Sequence, residues 1–573
     1  MARGVKTLPH RLTGSRVARP IDAPPRHEGR PMRRIRQHRA PSAHRSPGLA
    51  AGALGLALLA AQPLAAQSLV VGMQGEPGTM DPQFNLLGTN TSALRNIYDT
   101  LLSRDPSLQL RPSLAESWKA VDDTTWEFRL RGGVTFHDGS PLTAEDVRFT
   151  IERVTRVANN PNSYATYIQG IREVQVVDAR TVRFLTEGPV PLLPVNLSNI
   201  FIISSAKGAR GTGEFNSGAA AIGTGPYRLV SWQPGQPLVL ERNATYHGTA
   251  PAWSRVTFRP IPSDGARVGA LLAGDVDFIN AVPLQDVARL EKTEGARRLR
   301  VFSGPSAYVY MLFPELEKEP LPGVRDAQGQ PLARNPWKDP KVREAVSLAI
   351  NRNAIVERLM EGRARAANQA VPEGFFGHSG RIAPARHDLE RARALLREAG
   401  YPNGFQTSLA CPNDRFVNDS KICEAAAQQL QRAGIRVDLN AMPRATFFPA
   451  RARREWPLHA AGWGSLTGES SYFLTSQIHS PNRELGLGAI NYSGIGTPEL
   501  DALIQRARRT LDEGQRRALL EEVMEKTMAD NLVIPILTFE AVWAGRADKV
   551  DFTPRADEET LAIEVTPVGS PAR

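Results

Sequence analysis

The chain has 573 residues, with 70 Lys and Arg against 59 Asp and Glu, for a formal net charge of +11. Residues 1–66 hold 12 of those basic groups against 2 acids, so the remainder is close to neutral, which removes the main reason to expect a nucleic-acid binder. The length allows more than one core, 41% of residues are hydrophobic, and no internal repeat is visible.

The first segment reads as a secretory leader. A basic region precedes an Ala/Leu-rich apolar run at Leu49–Ala61, too short to span a bilayer, and Leu64-Ala65-Ala66 offers the small residue that signal peptidase needs. Cleavage is expected after Ala66. Met32 heads MRRIRQHRA, so translation could start there. No Cys lies near the cleavage point, which argues against a lipid anchor and for a soluble periplasmic protein.

Ser68–Met73 is a short apolar strand. Trp126, Phe128 and Leu130 then alternate with Glu127, Arg129 and Arg131, the period-2 pattern of a half-buried strand. Asp122-Asp123 supplies the turn before it, and Gly132-Gly133 breaks it. His137-Asp138-Gly139 reads as a tight turn, and Thr143 with Asp146 as a capping box for the helix carrying Val147, Phe149 and Ile151. Glu315–Asp339 has linker composition. Asp339-Pro340 opens a helix whose apolar positions 342, 345, 346, 349 and 350 form one stripe. Asp388 starts another, ended by Gly400 and Pro402. Asn418–Ala433 ends at Gly434 and precedes the strand Ile435–Leu439. Thr497-Pro498-Glu499 opens a further helix, and Asp512 through Asp530 supplies one more. Strands alternating with such helices predict an α/β protein.

The stretch LRPSLAESWKAVDDTTWEFRLRGGVTFHDGSPLTAEDVRFTIER (110–153) closely resembles the signature of the family 5 extracellular solute-binding proteins, the peptide- and nickel-binding receptors of ABC importers. Other segments agree in order: EPGTMDPQ (76–83), IGTGPYRLVSWQPGQPLVLERNATYHG (222–248), LLAGDVDFI (271–279) and KDPKVREAVSLAINRNAIVERLMEGRA (338–364). The resemblance spans roughly Ser68 to the C-terminus. It implies a type II-like periplasmic binding protein fold, two lobes around a cleft with a third domain. On that analogy lobe I is 67–98, 222–306 and 538–573, the extra domain is 99–221, and lobe III is 307–537.

The two cysteines, Cys411 and Cys423, allow two readings: a disulfide pinning the loop to the next helix in an oxidising compartment, or two unrelated buried thiols. Two Cys without a neighbouring His make half a zinc site, so neither a metal nor a cofactor is expected. Catalytic constellations are scarce. There is no HExxH, GxSxG or P-loop, and Ser204-Ser205-Ala206-Lys207 lacks companion motifs. His137 and His247 read as structural.

Two loops stand out as ligand contacts. Arg415, beside Phe416 ahead of a helix, can grip a carboxylate bidentately, as an Arg in this loop does in dipeptide-binding relatives. AGWGSLTGESSYF (461–473) is a strand entering a Gly/Ser/Thr loop. There Trp463 can form an apolar wall, and Gly464, Ser465, Leu466 and Thr467 let a solute meet the backbone. By the resemblance, Gly88-Thr89-Asn90 faces the cleft from lobe I. Dipeptide-binding members carry an amine-pairing Asp where this chain has Leu466, and a second where it has Glu469. Either Glu469 substitutes as anchor, or the ligand has no free amine at that place. The second is preferred, so anionic or amine-blocked peptide-like solutes are expected. The function implied is a monomeric periplasmic receptor that delivers a small peptide or peptide-like solute to an inner-membrane ABC permease and ATPase. The alternatives are a periplasmic peptide chaperone or sensory protein on the same scaffold and, more remotely, a secreted hydrolase.

Overall fold

The structure is a computed structural model that describes residues 68–161, 163–207, 210–295 and 298–570. The expected leader and its cleavage point lie outside the described residues. Ser68–Met73, with Leu69 and Val71 fully buried, runs parallel between Arg255–Pro260 and Phe278–Ile279. Buried on both faces, it carries the continuous apolar run that such strands need. Leu238–Arg242 and Tyr227–Ser231 extend this half of the sheet antiparallel. The other half is built on Phe405–Pro412, which runs parallel to both Ile435–Met442 and Leu458–Gly464.

Two long antiparallel strands, Leu299–Pro314 and Ile534–Arg546, join the halves into one sheet of twelve strands among the described residues. Their ladder is regular from Leu299↔Arg546 to Pro305↔Glu540, breaks, and resumes at Val309↔Thr538. A break there is the place where a continuous sheet can bend.

A separate four-stranded antiparallel sheet comprises Ala115–Asp122, Thr125–Leu130, Thr181–Thr186 and Ile171–Asp178. The expected alternation is present: Trp126, Phe128 and Leu130 are buried, and Phe128 meets Phe184 edge-on with ring centres 5.2 Å apart. The Thr143 N–H donates to the Asp146 carboxylate at 2.8 Å, closing the capping box of helix Ala144–Val154. Gly223 and Gly225 lie against the Ile97 backbone, where any Cβ would collide with its carbonyl. The glycines of that motif therefore mark a close backbone approach.

Helix Pro340–Ala349 is capped by Asp339, which accepts from the Lys341 N–H at 2.8 Å, and it buries Val342, Ala345, Val346 and Ala349, as its stripe requires. Helix Asp419–Ala433 begins one residue later than expected, because Asn418 sits at φ 58°, and it ends on Gly434 at φ 110°.

Glu315–Asp339 is not a linker. Leu321, Val324 and Trp337 are buried, Trp337 packs on Phe405, and the Glu315 carboxylate accepts from the Arg454 Nε at 2.8 Å. Most of its other charges face outward, while Leu321, Val324, Trp337 and the buried Glu315, paired with Arg454, fasten it to the core.

Candidate functional site

At the ladder break the backbone of residues 306–308 turns to other partners. The Ala307 N–H donates to the Ala556 carbonyl at 2.8 Å, and the Ala307 carbonyl accepts from the Ser465 N–H at 3.1 Å. The Ser306 hydroxyl donates to the Glu558 carboxylate at 2.6 Å. Three distant segments, 306–308, 463–469 and 555–558, thus converge where the two halves of the sheet meet.

Arg415 and Phe416 join them. The Asp419 carboxylate accepts from the Arg415 and Phe416 N–H groups at 3.0 and 3.1 Å, which fixes the loop ahead of its helix. Burial pushes the Asp419 carboxyl upward against those hydrogen bonds. Phe416 stacks on Phe539 at 4.9 Å and meets Tyr308 at 5.4 Å, so it is a packing residue. The exposed Arg415 guanidinium lies 4.9 Å from the Phe416 ring centre and 5.9 Å from that of Tyr308. It forms no ion pair among the described residues.

The Leu458–Gly464 strand explains why its glycines are small. A Cβ on Gly462 would strike the Phe416 ring, and one on Gly464 would strike Tyr308. Gly464 therefore makes room for the Tyr308 side chain. The half-buried Trp463 packs at 5.4 Å from Tyr472 and 5.7 Å from Phe473. Leu466 is exposed. Trp463 Nε1 and the hydroxyls of Ser465, Thr467 and Ser470 are buried with no hydrogen-bond partner among the described residues.

Glu469 is buried and held by Arg516, whose Nη2 lies 2.5 and 2.6 Å from its two oxygens. The guanidinium also covers the Phe376 ring at 4.8 Å. A carboxylate neutralised in this way has no charge left for a ligand.

The opposite wall comes from the hairpin Leu102–Arg104 and Leu110–Pro112. The Arg104 guanidinium reaches the Leu466 carbonyl, and its Nε donates to the Ser198 hydroxyl at 2.8 Å. Burial pulls the Arg104 guanidinium down to about 10. At the hairpin tip Leu108 is buried among residues of the other half, including Val309, Phe473 and Leu520.

Gly88-Thr89-Asn90 stands apart. It opens helix Gly88–Leu94, and the Asn90 side chain accepts from the Gly78 N–H at 2.9 Å. Thr89 borders a cavity of about 20 Å³ with Met73, Gly75 and Glu76, too small for a solute. A larger cavity of about 790 Å³, lined by Arg95, Tyr98, Arg104 and Arg555 among others, includes none of the expected ligand residues. Sequence reading missed Arg104, Ser306, Tyr308 and Glu558. Tyr308 alone carried a signal, as an aromatic in a strand beside Gly and Pro.

Cys411 and Cys423 are free and buried, so the expected disulfide is not present. They enter the same core from a strand and a helix as unlinked side chains. The Cys423 sulfur sits 3.4 Å from the Tyr310 hydroxyl, and burial raises its thiol far above the usual range. His137 and His247 are structural: His137 Nε2 is 3.0 Å from the Gly225 carbonyl, and His247 Nε2 is 2.9 Å from the Asp99 carboxylate. Among the described residues no group of three or more His, Cys, Asp or Glu could hold a metal ion, and no helix is long and apolar enough to cross a membrane.

Two halves of one sheet meeting at a strand break suit a binding protein that bends about that break. The family model for bacterial extracellular solute-binding proteins, family 5 Middle, matches residues 109–484, and the chain belongs to that family. It is a substrate-binding protein of the ABC-importer class and not an enzyme. It is 27% identical over 512 residues to the glutathione-binding protein GsiB of Escherichia coli K12, covering 88% of this chain and 95% of that one. Among solved structures, HbpA2 from Haemophilus parasuis superposes with a TM-score of 0.76 at 22% identity, covering 87% of this chain and all of the other. The periplasmic binding protein DppA from Helicobacter pylori, in complex with the peptide STSA, gives 0.66 at 24%, covering 87% and 98%. These neighbours carry the type II periplasmic binding-protein fold.

Proposed function

We propose that the protein captures a small peptide or peptide-like solute at the strand break and delivers it to an inner-membrane permease and its ATPase. In this reading it works as a periplasmic monomer, after loss of a leader ending at Ala66. Lobe I is 67–98, 222–306 and 538–573, lobe III is 307–537, and 99–221 forms an extra domain. A solute touching both lobes favours the closed state by its difference in affinity for the two states.

The observation that carries the reading is Arg415. It is an exposed guanidinium with no ion-pair partner among the described residues, laid across Tyr308 and Phe416 at the hinge. On the other face of the same strand and in the loop after it lie an indole N–H and three hydroxyls without hydrogen-bond partners among the described residues. A carboxylate on Arg415 would satisfy the guanidinium. Glu469, bound to Arg516, leaves no anion at the place where dipeptide-binding relatives hold an amine. The GsiB relatives add glutathione to the candidates.

A thermal-shift screen of the leader-free protein against glutathione, dipeptides, tripeptides, opines and nickel chelates tests the proposal, followed by calorimetry. Binding of a carboxylate-bearing peptide-like solute, weakened about 10-fold or more by Arg415→Ala, is the expected result. Binding indifferent to Arg415→Ala would refute it. N-terminal sequencing of exported protein is expected to start at or near Gln67.

A further inference from the structure

The C-terminal segment places a second charge near Arg415. Glu558 is exposed, and its carboxylate accepts from the Ser306 hydroxyl at 2.6 Å. The Ser306 oxygen in turn accepts from the Tyr308 N–H at 3.3 Å, so the carboxylate and the Arg415 guanidinium lie about the same residue. The nearby carboxylates are already paired: Asp557 and Glu564 with Arg555, Glu559 with Arg95, and Glu469 with Arg516. Glu558 has no ion-pair partner among the described residues.

The turn that carries it is held firmly. Glu558 adopts φ 64°, a left-handed conformation uncommon outside glycine. Several contacts impose it. The Glu558 N–H donates to the Arg555 carbonyl at 3.1 Å, the Ala556 N–H to Pro106 at 2.9 Å, and Arg555 clamps Asp557 at 2.7 Å. Strained backbone that its surroundings over-determine is characteristic of ligand-holding positions. Desolvation by the surrounding protein raises the carboxyl's pKa, against the Ser306 hydrogen bond and the attraction of Arg415. Arg415 is near enough to act on it without forming an ion pair, and part of the side chain is exposed to solvent. An unpaired carboxylate in such a place gains most from an arriving cation.

We infer that Glu558 is the acceptor for an ammonium group of the bound solute, so that the cleft selects dipolar molecules with a carboxylate on Arg415 and a cation on Glu558. The inference rests on the reading of the cleft as the solute site. It replaces the expected preference for amine-blocked solutes: the 463–469 loop lacks an amine anchor, and the 555–558 turn supplies one.

Calorimetry on the leader-free protein tests this with four probes: glutathione and alanylalanine, each free and N-acetylated. Wild type is expected to bind a free-amine probe about 10- to 100-fold more tightly than its acetylated form. Glu558→Gln should remove that difference by weakening the free-amine probe alone. Ser306→Ala, which leaves the charge but frees the carboxylate, should weaken the same probe by a smaller factor. It keeps the idea testable if Glu558→Gln fails to fold. Equal affinity of wild type for free and acetylated probes would overturn the inference while leaving the cleft reading intact. So would a Glu558→Gln effect shared by both forms. If none of the four binds wild type at millimolar concentration, the peptide-like reading itself falls and this inference with it.

Discussion

Replacing Glu469 by Gln separates a structural role from a ligand-binding one. Both side chains of the Glu469–Arg516 pair are less than a tenth exposed, and Arg516 Nη2 contacts both carboxylate oxygens and the Ser471 hydroxyl at 3.1 Å. Removing one charge leaves a guanidinium buried against Phe376 with no counter-ion, and such a loss costs about 3–5 kcal/mol. The glutamine oxygen can still accept one hydrogen bond, so the lower end, about 3 kcal/mol, is expected. A chain of this length has an unfolding entropy near 1 kcal/mol per degree, so the melting temperature of ligand-free protein should fall by about 3 °C. Glu469→Leu combined with Arg516→Met should cost less than either single change, because the double variant buries no lone charge. Peptide affinity measured by calorimetry should stay within about 2-fold of wild type, below the effect of one lost charged hydrogen bond. If Glu469→Gln instead melts like wild type and selectively loses affinity for free-amine peptides, Glu469 is the amine anchor and the assignment to Glu558 is wrong.

Gly462→Ala should cost about 1–3 kcal/mol, because the added methyl meets the Phe416 ring. The displaced ring carries Arg415 with it, so solute affinity should fall together with stability in denaturation and calorimetry. His137 provides a pH test. Burial pulls it from 6.5 to about 4 in the folded protein, so the unfolded chain takes up the proton first as pH falls. Its contribution is complete above about pH 6.5 and is lost between there and about pH 4, on the order of 3 kcal/mol. Denaturation midpoints at pH 7 and 4.5 should differ less in His137→Gln than in wild type; an equal difference would exclude the histidine as the cause. Alkylation should modify no cysteine in native protein and both in guanidinium without reductant, because Cys411 and Cys423 are buried free thiols. Thiols released only by a reductant would contradict this.

Much of the fold was legible because its instructions are local. Thr143 and Asp146 stand three residues apart, Asp339 adjoins Pro340, and Gly434 ends the helix before it; a cap, an N-terminal proline or a left-handed stop acts within one turn. The alternation at Trp126, Phe128 and Leu130 reports burial directly. Composition failed where a few apolar residues outweighed many polar ones. Glu315–Asp339 looks like a linker, yet Leu321, Val324 and Trp337 fasten it to the core. Gly464 shows a different limit, since a glycine tells that something comes close but not what; here Tyr308 does.

The site was less legible because its contacts are long-range. Arg415 and Trp463 could be singled out, since an exposed Arg ahead of a helix and a Trp entering a small-residue loop keep their local character. Ser306 and Glu558 are 252 positions apart, and Arg104 and Leu466 are 362 apart. No window of sequence holds both members of either pair. The run Asp557-Glu558-Glu559 shows what is lost, since three successive acids read as one solvated patch. In the folded chain Asp557 turns to Arg555, Glu559 to Arg95, and Glu558 to a serine hydroxyl. Two of the charges are spent inside the protein, while the third is left exposed with only the Ser306 hydroxyl as its side-chain partner. Which one is left depends on the left-handed turn at Glu558 and on where Arg555 and Arg95 stand, and both are properties of the fold rather than of the three letters.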